Sequence, residues 1–446
     1  MRADLAIIGG GPAGYTAARK AAEQGLSVIL FEEDKVGGTC LNRGCIPTKT
    51  LLHSAQEYRR FKEAATIGIY APEVSFDYDK ILKRKEEVVT TLRSGIEKML
   101  KSKKVTVVYG SASVNAKKEI WCNEEVYEAE SILLCTGSSV ILPPIEGIDL
   151  AVTSDAVLEG NMSLAEELII IGGGVIGVEI ASVYASLGKK VTILEIADQL
   201  LPNMDRDLAI RIAACLKKQG VRIVLKAKVR KVEKTEAGKA VTYEDKSGNE
   251  QSVEGSEVLV CTGRKANLSG LLDGLELEIQ RGIVTNENYE SSVKGIYAIG
   301  DCRSANIQLA HVATAQALNV LDVICGREKE VDDSLIPSCV YTSPEIASVG
   351  LTEAQAKEKG IAVFSKKALT GANGKSVIEG SESGYLKLVI REEDHQILGA
   401  QLIMNDATNL IGELAVVIQK KMTLEELRKV VHPHPTLVEM IAEALN

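Results

Sequence analysis

The chain has 446 residues, of which 45% are apolar and 25% charged, and its net charge is −9. This length exceeds one ordinary hydrophobic core, so we expect roughly two to four domains. An acidic surface disfavours nucleic acid and anionic membranes as main partners, and no apolar run approaches the roughly 20 residues of a membrane span. The N-terminus lacks the layout of a signal peptide, so we expect a cytoplasmic protein.

The first pattern along the chain is a strand, a glycine turn, a helix and a second strand. The three regular elements are residues 5–8, 15–24 and 27–31. The turn has the glycine spacing of a dinucleotide-binding fingerprint, with Gly9, Gly11 and Gly14. These glycines allow a tight turn, close approach to a pyrophosphate and close helix packing, while Glu32 after the second strand would accept hydrogen bonds from a ribose. A single copy is also compatible with an ordinary glycine turn.

A close cysteine pair, Cys40 and Cys45, directly follows this unit. Gly44 lies inside the pair, and its conformational freedom would help to bring the two sulfurs to bonding distance. The alternatives are two unrelated thiols or a zinc half-site, for which two further ligands in a supporting context are missing. The other seven cysteines are scattered singly. In a reducing compartment, one close pair favours redox chemistry over a structural disulfide framework.

The strand–turn–helix–strand plan recurs near the middle of the chain. Its strands are residues 168–171 and 190–194, and Glu195 follows the second strand. The second turn repeats the spacing with Gly172, Gly174 and Gly177. In both copies the acid lies 18 residues after the third glycine, so the sequence predicts two Rossmann-like units and two dinucleotides. No basic residue stands beside Glu195, which favours NAD over NADP because a 2′-phosphate would meet negative charge there.

The remaining segments divide by pattern. Residues 50–105 have helical spacing and residues 221–262 have strand and turn signals, and a further glycine site at 298–301 closes a short apolar strand. From about Ser334 the pattern predicts a separate α+β unit. Its strands are predicted at 385–390 and 397–403, and its helices at 409–420, 424–430 and 437–444.

Two of the five histidines, His432 and His434, lie close together near the C-terminus. Thiol–disulfide exchange needs a base, and a histidine oriented by a carboxylate such as Glu439 suits that role. A surface loop with two histidines before a helix explains the spacing equally well. The residues alone leave both interpretations open.

Taken together, the motifs resemble the class I pyridine nucleotide–disulfide oxidoreductases, which are homodimeric FAD enzymes. The run Gly-Gly-Thr-Cys-Leu-Asn-Arg-Gly-Cys-Ile-Pro-Thr-Lys at 37–49 resembles their active-site segment, and the likeness continues at 174–179, 191–195, 298–301, 309–311, 341–353 and 432–439. Within the family the likeness is greatest to members that oxidise dihydrolipoamide. The resemblance implies FAD and NAD as cofactors, no resident metal, and the lipoyl-bearing protein of a multi-enzyme complex as substrate.

The resemblance also implies residue roles. Cys45 would face the flavin, Cys40 would exchange with the substrate, and His434, oriented by Glu439, would serve as base to the other subunit of a dimer with shared active sites. Lys49 and Glu179 would form an ion pair beside the reactive nitrogen of the flavin. The implied FAD contacts are Gly9, Gly11, Gly14, Glu32, Lys49, Ala112, Thr136, Gly137, Asp301 and Ala310. The implied NAD contacts are Gly172, Gly174, Gly177, Glu195 and Gly263.

The implied fold is α/β, with two Rossmann-like dinucleotide-binding domains and a C-terminal α+β dimerisation domain. The expected bounds are 1–143 for the first part of the FAD-binding domain, 144–263 for the NAD-binding domain, 264–333 for the return to the central FAD-binding domain and 334–446 for the dimerisation domain.

Three features depart from the family pattern: Asn409 replaces an acid, His432-Pro433 replaces His-Ala, and the chain is short. Two alternative functions remain. One is a related NAD(P)H-dependent disulfide or metal-ion reductase, which Glu195 disfavours where NADP is required. The other is a mainly structural subunit of a 2-oxo acid dehydrogenase or glycine cleavage complex, which the intact dithiol disfavours.

Overall fold

The first sheet gathers strands from the beginning of the chain. The computed structural model describes residues 1–71, 73–381 and 383–446. The first elements are β1 (Arg2–Ile8), α1 (Pro12–Glu23), β2 (Val28–Glu32), α2 (Gly38–Arg43), α3 (Cys45–Glu63), α4 (Tyr78–Ser102), β3 (Thr106–Tyr109), β4 (Ser113–Asn115), β5 (Ile120–Cys122), β6 (Glu125–Leu134) and β7 (Ser138–Val140). β1 lies between β2 and β6 and is parallel to both, with Ile7 opposite Leu30 and Leu133.

A second parallel sheet forms from the repeated pattern. Its segment contains β8 (Val152–Thr153), α5 (Ser154–Glu159), β9 (Glu167–Ile171), α6 (Val175–Ser186), β10 (Lys190–Glu195), α7 (Arg206–Lys218), β11 (Arg222–Leu225), β12 (Lys228–Thr235), β13 (Gly238–Glu244), β14 (Glu250–Gly255) and β15 (Glu257–Val260). The strand order is β11-β10-β9-β15-β8, and β12, β13 and β14 form a separate antiparallel sheet. Ile169, Ile170 and Ile171 are all buried, as expected for a parallel strand covered on both faces.

The chain then returns to the first sheet. This segment contains β16 (Arg264–Ala266), β17 (Leu272–Asp273), β18 (Ile296–Ala298) and α8 (Ala310–Ile324). β18 adds to β6 in parallel, with Tyr297 opposite Leu133, and β17 adds to β4. α8 packs against α1. The first nucleotide-binding unit is therefore built from two separate stretches of the chain.

The C-terminal unit is an antiparallel sheet with helices. Its elements are β19 (Ser338–Val340), β20 (Glu345–Gly350), α9 (Glu353–Glu358), β21 (Val363–Leu369), α10 (Gly374–Ile378), β22 (Tyr385–Arg391), β23 (Ile397–Met404), α11 (Ala407–Gln419), α12 (Leu424–Leu427) and α13 (Glu439–Leu445). The strand order is β19-β20-β23-β22-β21. The helix predicted at 424–430 ends earlier, and the one predicted from Leu437 begins later. The prolines at 433 and 435 lie between the two helices, as in the predicted pattern, because a residue before proline avoids the helical conformation.

A buried ion cluster fixes the C-terminal unit to the second Rossmann-like unit. The Lys387 side chain on β22 is 1% exposed, and its Nζ lies 2.8 Å from Asp205, which caps α7. Asp207 and Glu353 lie 3.6 and 3.7 Å from the same ammonium group. A lysine buried this deeply needs such partners, because an unpaired charge in the interior is strongly destabilising. The architecture agrees with the predicted fold class, whereas the expected domain bounds remain predictions.

Candidate active site

The first and third glycines of both turns are required by packing within the chain. Gly9 and Gly172 have φ values of +105° and +110°, which other residues rarely adopt. A Cβ on Gly14 would lie 1.8 Å from the Gly9 carbonyl oxygen, and one on Gly177 would lie 2.1 Å from the Gly172 oxygen. Any side chain at these positions would push the helix away from the turn, as the fingerprint predicts.

Packing within the chain does not require the middle glycines, Gly11 and Gly174. They precede α1 and α6, which have no side-chain cap. A Cβ on Gly11 would meet nothing nearer than the Gly38 Cα at 3.8 Å, and one on Gly174 would meet no atom within 4 Å. The space in front of each helix N-terminus is therefore open, and the unpaired N–H groups there suit a phosphate. Both turns thus fit a dinucleotide pyrophosphate.

The acids at the strand ends are held in the same way in both units. In the first unit, the Glu32 carboxylate accepts hydrogen bonds from the N–H groups of Gly10 at 2.7 Å and Asp34 at 2.9 Å. In the second, Glu195 accepts from Gly173 and Ala197. Each carboxylate oxygen keeps a free lone pair for a ribose hydroxyl. Burial is the main cause that raises the pKa of Glu32. The acids thus also support the turns, a role that the sequence interpretation missed.

The structure places one basic residue, Arg206, near Glu195, where the sequence predicted none. Arg206 donates to Asp198 at 3.0 Å, and this bond is the main cause that lowers the pKa of Asp198. Asp198 is three residues beyond Glu195, so the structure places a guanidinium group close to this strand end. It is already paired with a carboxylate. No local spacing pointed to it, because Arg206 lies at the start of the next helix.

The dithiol lies where α2 gives way to α3. Cys40 is on α2 and is half-buried, while Cys45 is the first residue of α3 and is exposed. Between them, a Cβ on Gly44 would lie 2.8 Å from the Thr39 carbonyl oxygen, so this turn requires glycine. The Asn42 side chain donates to the Gly38 carbonyl at 3.0 Å and to the Val36 carbonyl at 3.2 Å. Asn42 therefore fixes the glycine turn at the start of the helix that carries Cys40, a role that the sequence did not suggest.

The two thiols have opposite electrostatic environments. A hydrogen bond from the Cys40 thiol is the main cause that lowers the pKa of Cys45 to about 7, and the Lys49 charge adds to it. The same bond, together with burial, raises the pKa of Cys40. Cys45 is therefore the thiol that ionises first as the pH rises towards neutral, and Cys40 stays a neutral thiol that donates to it.

Lys49 on α3 of the first unit and Glu179 on α6 of the second, which the family resemblance pairs, lie together in the structure. The Lys49 Nζ lies 2.9 and 3.0 Å from the two carboxylate oxygens of Glu179. Glu179 is buried and also accepts the Tyr341 N–H at 3.0 Å. The ion pair thus stands beside the Cys45 thiolate and joins two units.

The other proposed FAD contacts lie around the ends of β6 and β18. Asp301 follows β18 and accepts the Ser138 hydroxyl at 2.6 Å, while Arg264 donates to the same hydroxyl at 2.8 Å. Burial raises the pKa of Asp301. Thr136 donates to the Asn267 carbonyl at 2.6 Å. No local sequence pattern marks Ser138 and Arg264, because their link to Asp301 crosses three segments.

The remaining predicted cofactor residues occupy turns and element ends. Gly137 and Gly263 have φ values of +70° and +118°, and a Cβ on either would meet no protein atom closer than 3.8 Å. Ala310 is the first residue of α8, whose N-terminus has no side-chain cap. Ala112 is buried in the core of the first sheet. Gly137 and Gly263 therefore present backbone to open space.

His434 and Glu439 form a pair on the C-terminal unit. The His434 Nδ1 lies 2.9 Å from the Glu439 carboxylate, which also accepts the Thr436 N–H at 2.8 Å. The Thr436 and His434 hydrogen bonds lower the pKa of Glu439. The His434 side chain is 77% exposed, whereas that of His432 is 5% exposed and lies 3.0 Å from Glu413. Of the two histidines, only His434 presents its ring to solvent.

Within residues 1–71, 73–381 and 383–446, no group of three or more His, Cys, Asp or Glu side chains is placed to hold a metal ion. Across those same ranges, no helix is both long and apolar enough to cross a membrane.

Comparison with known proteins agrees with this geometry. Residues 3–317 match the pyridine nucleotide-disulphide oxidoreductase family, and residues 336–445 match its dimerisation domain. A dihydrolipoyl dehydrogenase of Bacillus subtilis (strain 168) is 38% identical, with 99% of this chain and 97% of the relative covered. One from Geobacillus stearothermophilus is 37% identical, with 100% and 96% covered.

Solved structures show the same likeness. The HOCl-induced flavoprotein disulfide reductase RclA from Escherichia coli superposes with a TM-score of 0.88 at 30% identity, and 99% of each chain is covered. Its Cu(II) complex superposes with a TM-score of 0.89 at 29% identity, with 100% of this chain and 99% of the other covered.

The fold and the dithiol define an oxidoreductase of disulfides that works with two dinucleotides. The chain belongs to the pyridine nucleotide-disulphide oxidoreductase family. The predicted enzyme class, the cofactors FAD and NAD and the presence of a dimerisation domain are thereby confirmed.

The open space at the middle glycines predicts two separable defects. Gly11→Ala should fold normally but bind FAD roughly tenfold more weakly or worse, because its methyl group would occupy the phosphate path. Gly174→Ala should keep its flavin and raise the KM for NAD. Flavin absorbance per chain and NAD kinetics measure the two effects. Equal flavin loss in both variants would contradict the assignment.

The lowered pKa of Cys45 predicts its reactivity. In dithiothreitol-reduced protein, alkylation of Cys45 by iodoacetamide should reach half its maximal rate near pH 7, because only the thiolate reacts. Cys40→Ala removes the hydrogen-bond donor and should move this midpoint to higher pH. Peptide mass analysis identifies the alkylated residue, and an unchanged midpoint in Cys40→Ala would show that the donor is unimportant.

Proposed function

We propose that this chain oxidises protein-bound dihydrolipoamide to lipoamide with NAD as the final acceptor. The observation that carries the proposal is the asymmetric dithiol, in which the Cys45 thiolate is stabilised next to the Lys49–Glu179 pair. Support comes from relatives named dihydrolipoyl dehydrogenase that align over essentially their whole length.

The proposed exchange uses groups at two places in the fold. One thiol of the substrate attacks Cys40 of the Cys40–Cys45 disulfide, and His434 takes its proton. The Cys45 sulfur leaves as a thiolate, which the Lys49 charge stabilises, and the hydrogen bond from Cys40 adds to this once Cys40 is a thiol again. The second substrate thiol displaces Cys40, which closes the lipoamide ring and leaves the enzyme as a dithiol. Bound FAD, held by residues such as Gly11 and Glu32, would supply the two-electron chemistry that couples this dithiol to NAD as the hydride acceptor.

We also propose that the protein works as a homodimer in which His434 serves the partner subunit. His434 is too exposed to be a buried base of its own unit, and Glu439 fixes its ring so that Nε2 points away from the pair. Exposed apolar side chains on the dimerisation domain support a contact surface, among them Val416 at 56% and Val431 at 92% exposure. A lipoyl-bearing protein of a multi-enzyme complex is the proposed substrate.

A cytoplasmic address is part of the proposal. Seven of the nine cysteines are scattered singly along the sequence, which suits a reducing compartment.

A second candidate is reduction of another disulfide, or of a metal ion, by a nicotinamide nucleotide. The superposition on the flavoprotein disulfide reductase RclA and its Cu(II) complex favours it. The same dithiol serves either direction, so the second partner of the reaction distinguishes the two.

The direct test is an anaerobic assay of NAD reduction by dihydrolipoamide. We expect turnover with NAD and much weaker turnover with NADP, because Glu195 occupies the position of a 2′-phosphate. NADH oxidation with other disulfides and with Cu(II) is measured in parallel. Flavin-loaded protein that reduces these acceptors but never oxidises dihydrolipoamide would leave only the second candidate.

Replacement of the proposed base gives a sharper prediction. His434→Gln should lower kcat for dihydrolipoamide by about 10²–10⁴ while flavin content stays normal, because the substrate thiol loses its proton acceptor. The matched control is His395→Gln, since His395 is an exposed histidine that pairs with Glu425 at 2.7 Å. Equal losses in both variants would remove His434 from the mechanism.

A further inference from the structure

Tyr341 of the dimerisation domain contacts both members of the Lys49–Glu179 pair. Its ring centroid lies 4.4 Å from the Lys49 Nζ, a distance typical of a cation–π contact. Its backbone N–H donates to Glu179 Oε1 at 3.0 Å. One residue therefore holds the cation with its ring and the anion with its main chain.

The segment around Tyr341 is anchored on both Rossmann-like units. The preceding strand β19 pairs with β20, with the buried Val340 opposite Ile346. On one side, the Gln56 side chain on α3 donates to the Tyr341 carbonyl at 3.4 Å. On the other, the Gln219 side chain at the end of α7 donates to the Ser343 carbonyl at 2.9 Å. Contacts of β19, α3 and α7 thus fix the backbone on either side of Tyr341 and place its ring over Lys49.

The environment of the ring fits an electrostatic role. Burial is the main cause that raises the pKa of Tyr341 to about 12, so the phenol is neutral at physiological pH. The charges of Glu179 and of the Cys45 thiolate act in the same direction, which puts the ring within electrostatic reach of both. Lys49 is only partly exposed, and a cation–π contact strengthens as the cation loses water.

A tyrosine that covers a lysine often does no more than pack against it. Tyr58 is such a case in this chain, with the Lys62 Nζ 5.4 Å from its ring. Tyr58 and Lys62 lie one helical turn apart on α3, whereas Tyr341 reaches Lys49 from another domain and also holds its counter-ion.

We propose that Tyr341 is a positioning residue of the redox site, through which the dimerisation domain holds the Lys49 ammonium beside Glu179 and close to the Cys45 thiolate. The inference rests on the roles proposed above for Lys49 and Cys45 but not on the identity of the dithiol substrate. It follows that the docking of the dimerisation domain and the stability of the thiolate are linked within one chain.

The test compares Tyr341→Leu, Tyr341→Met and Tyr341→Phe in the flavin-loaded, reduced enzyme. The pH dependence of Cys45 alkylation by iodoacetamide is measured for each, with thermal unfolding and flavin content as checks of folding. Leu and Met remove the ring and should raise the apparent pKa of Cys45 by about half a unit, or slow alkylation roughly twofold at pH 7. Phe keeps the ring and should match the unsubstituted enzyme.

Tyr58→Leu is the matched control and should leave the profile unchanged. Tyr341→Met retains most of the side-chain volume and tests the inference if Leu does not fold. A wild-type profile in folded Leu or Met variants would overturn the inference, as would an equal shift in Phe. Alkylation needs no dithiol substrate. If the variants show the expected shifts but the enzyme fails to oxidise dihydrolipoamide, the result therefore counts against the proposed function alone.

Discussion

The Lys49–Glu179 ion pair is the contact that joins the two Rossmann-like units and the dimerisation domain. Lys49 comes from the helix that begins with Cys45, Glu179 from the helix that begins at the second glycine turn, and the Glu179 carboxylate is shared with the Tyr341 N–H of the dimerisation domain. A buried carboxylate without these partners would be costly. The pair therefore forms only when all three units are docked. Its lysine lies on the same helix as the Cys45 thiol, so the fold and the redox site depend on the same contacts.

The duplicated turns show how one local solution serves two ligands. In each copy the carboxylate at the strand end accepts the N–H that follows the first glycine, so the acid and the glycine turn support one another. The space beside the middle glycines, Gly11 and Gly174, is free, because no packed or capping side chain fills it. The same backbone geometry thus separates residues that build the turn from residues that a ligand needs. The fingerprint had already assigned different roles to the three glycines from their spacing.

The parts of the site that sequence predicted are those that lie close together along the chain. The glycine turns, Cys40 and Cys45, and His434 with Glu439 all fall within short runs whose spacing carries the chemistry. The pairing of Lys49 with Glu179 needed family resemblance, since 130 residues separate them. Ser138, Arg206 and Tyr341 were not predicted, because their partners come from other segments and no local pattern marks them.

The division of labour between the thiols follows from the same nonlocal contacts. Cys40 and Cys45 are equivalent in sequence chemistry, yet the hydrogen bond between them can stabilise only one thiolate, and here it stabilises that of Cys45. Cys45 is therefore the better leaving group when an incoming thiol attacks Cys40 of the disulfide, because the sulfur with the lower thiol pKa leaves faster. The proposed base, His434, stands exposed on the dimerisation domain. In the proposed mechanism the thiolate and the proton acceptor therefore come from different units, so the exchange depends on how the dimerisation domain is placed.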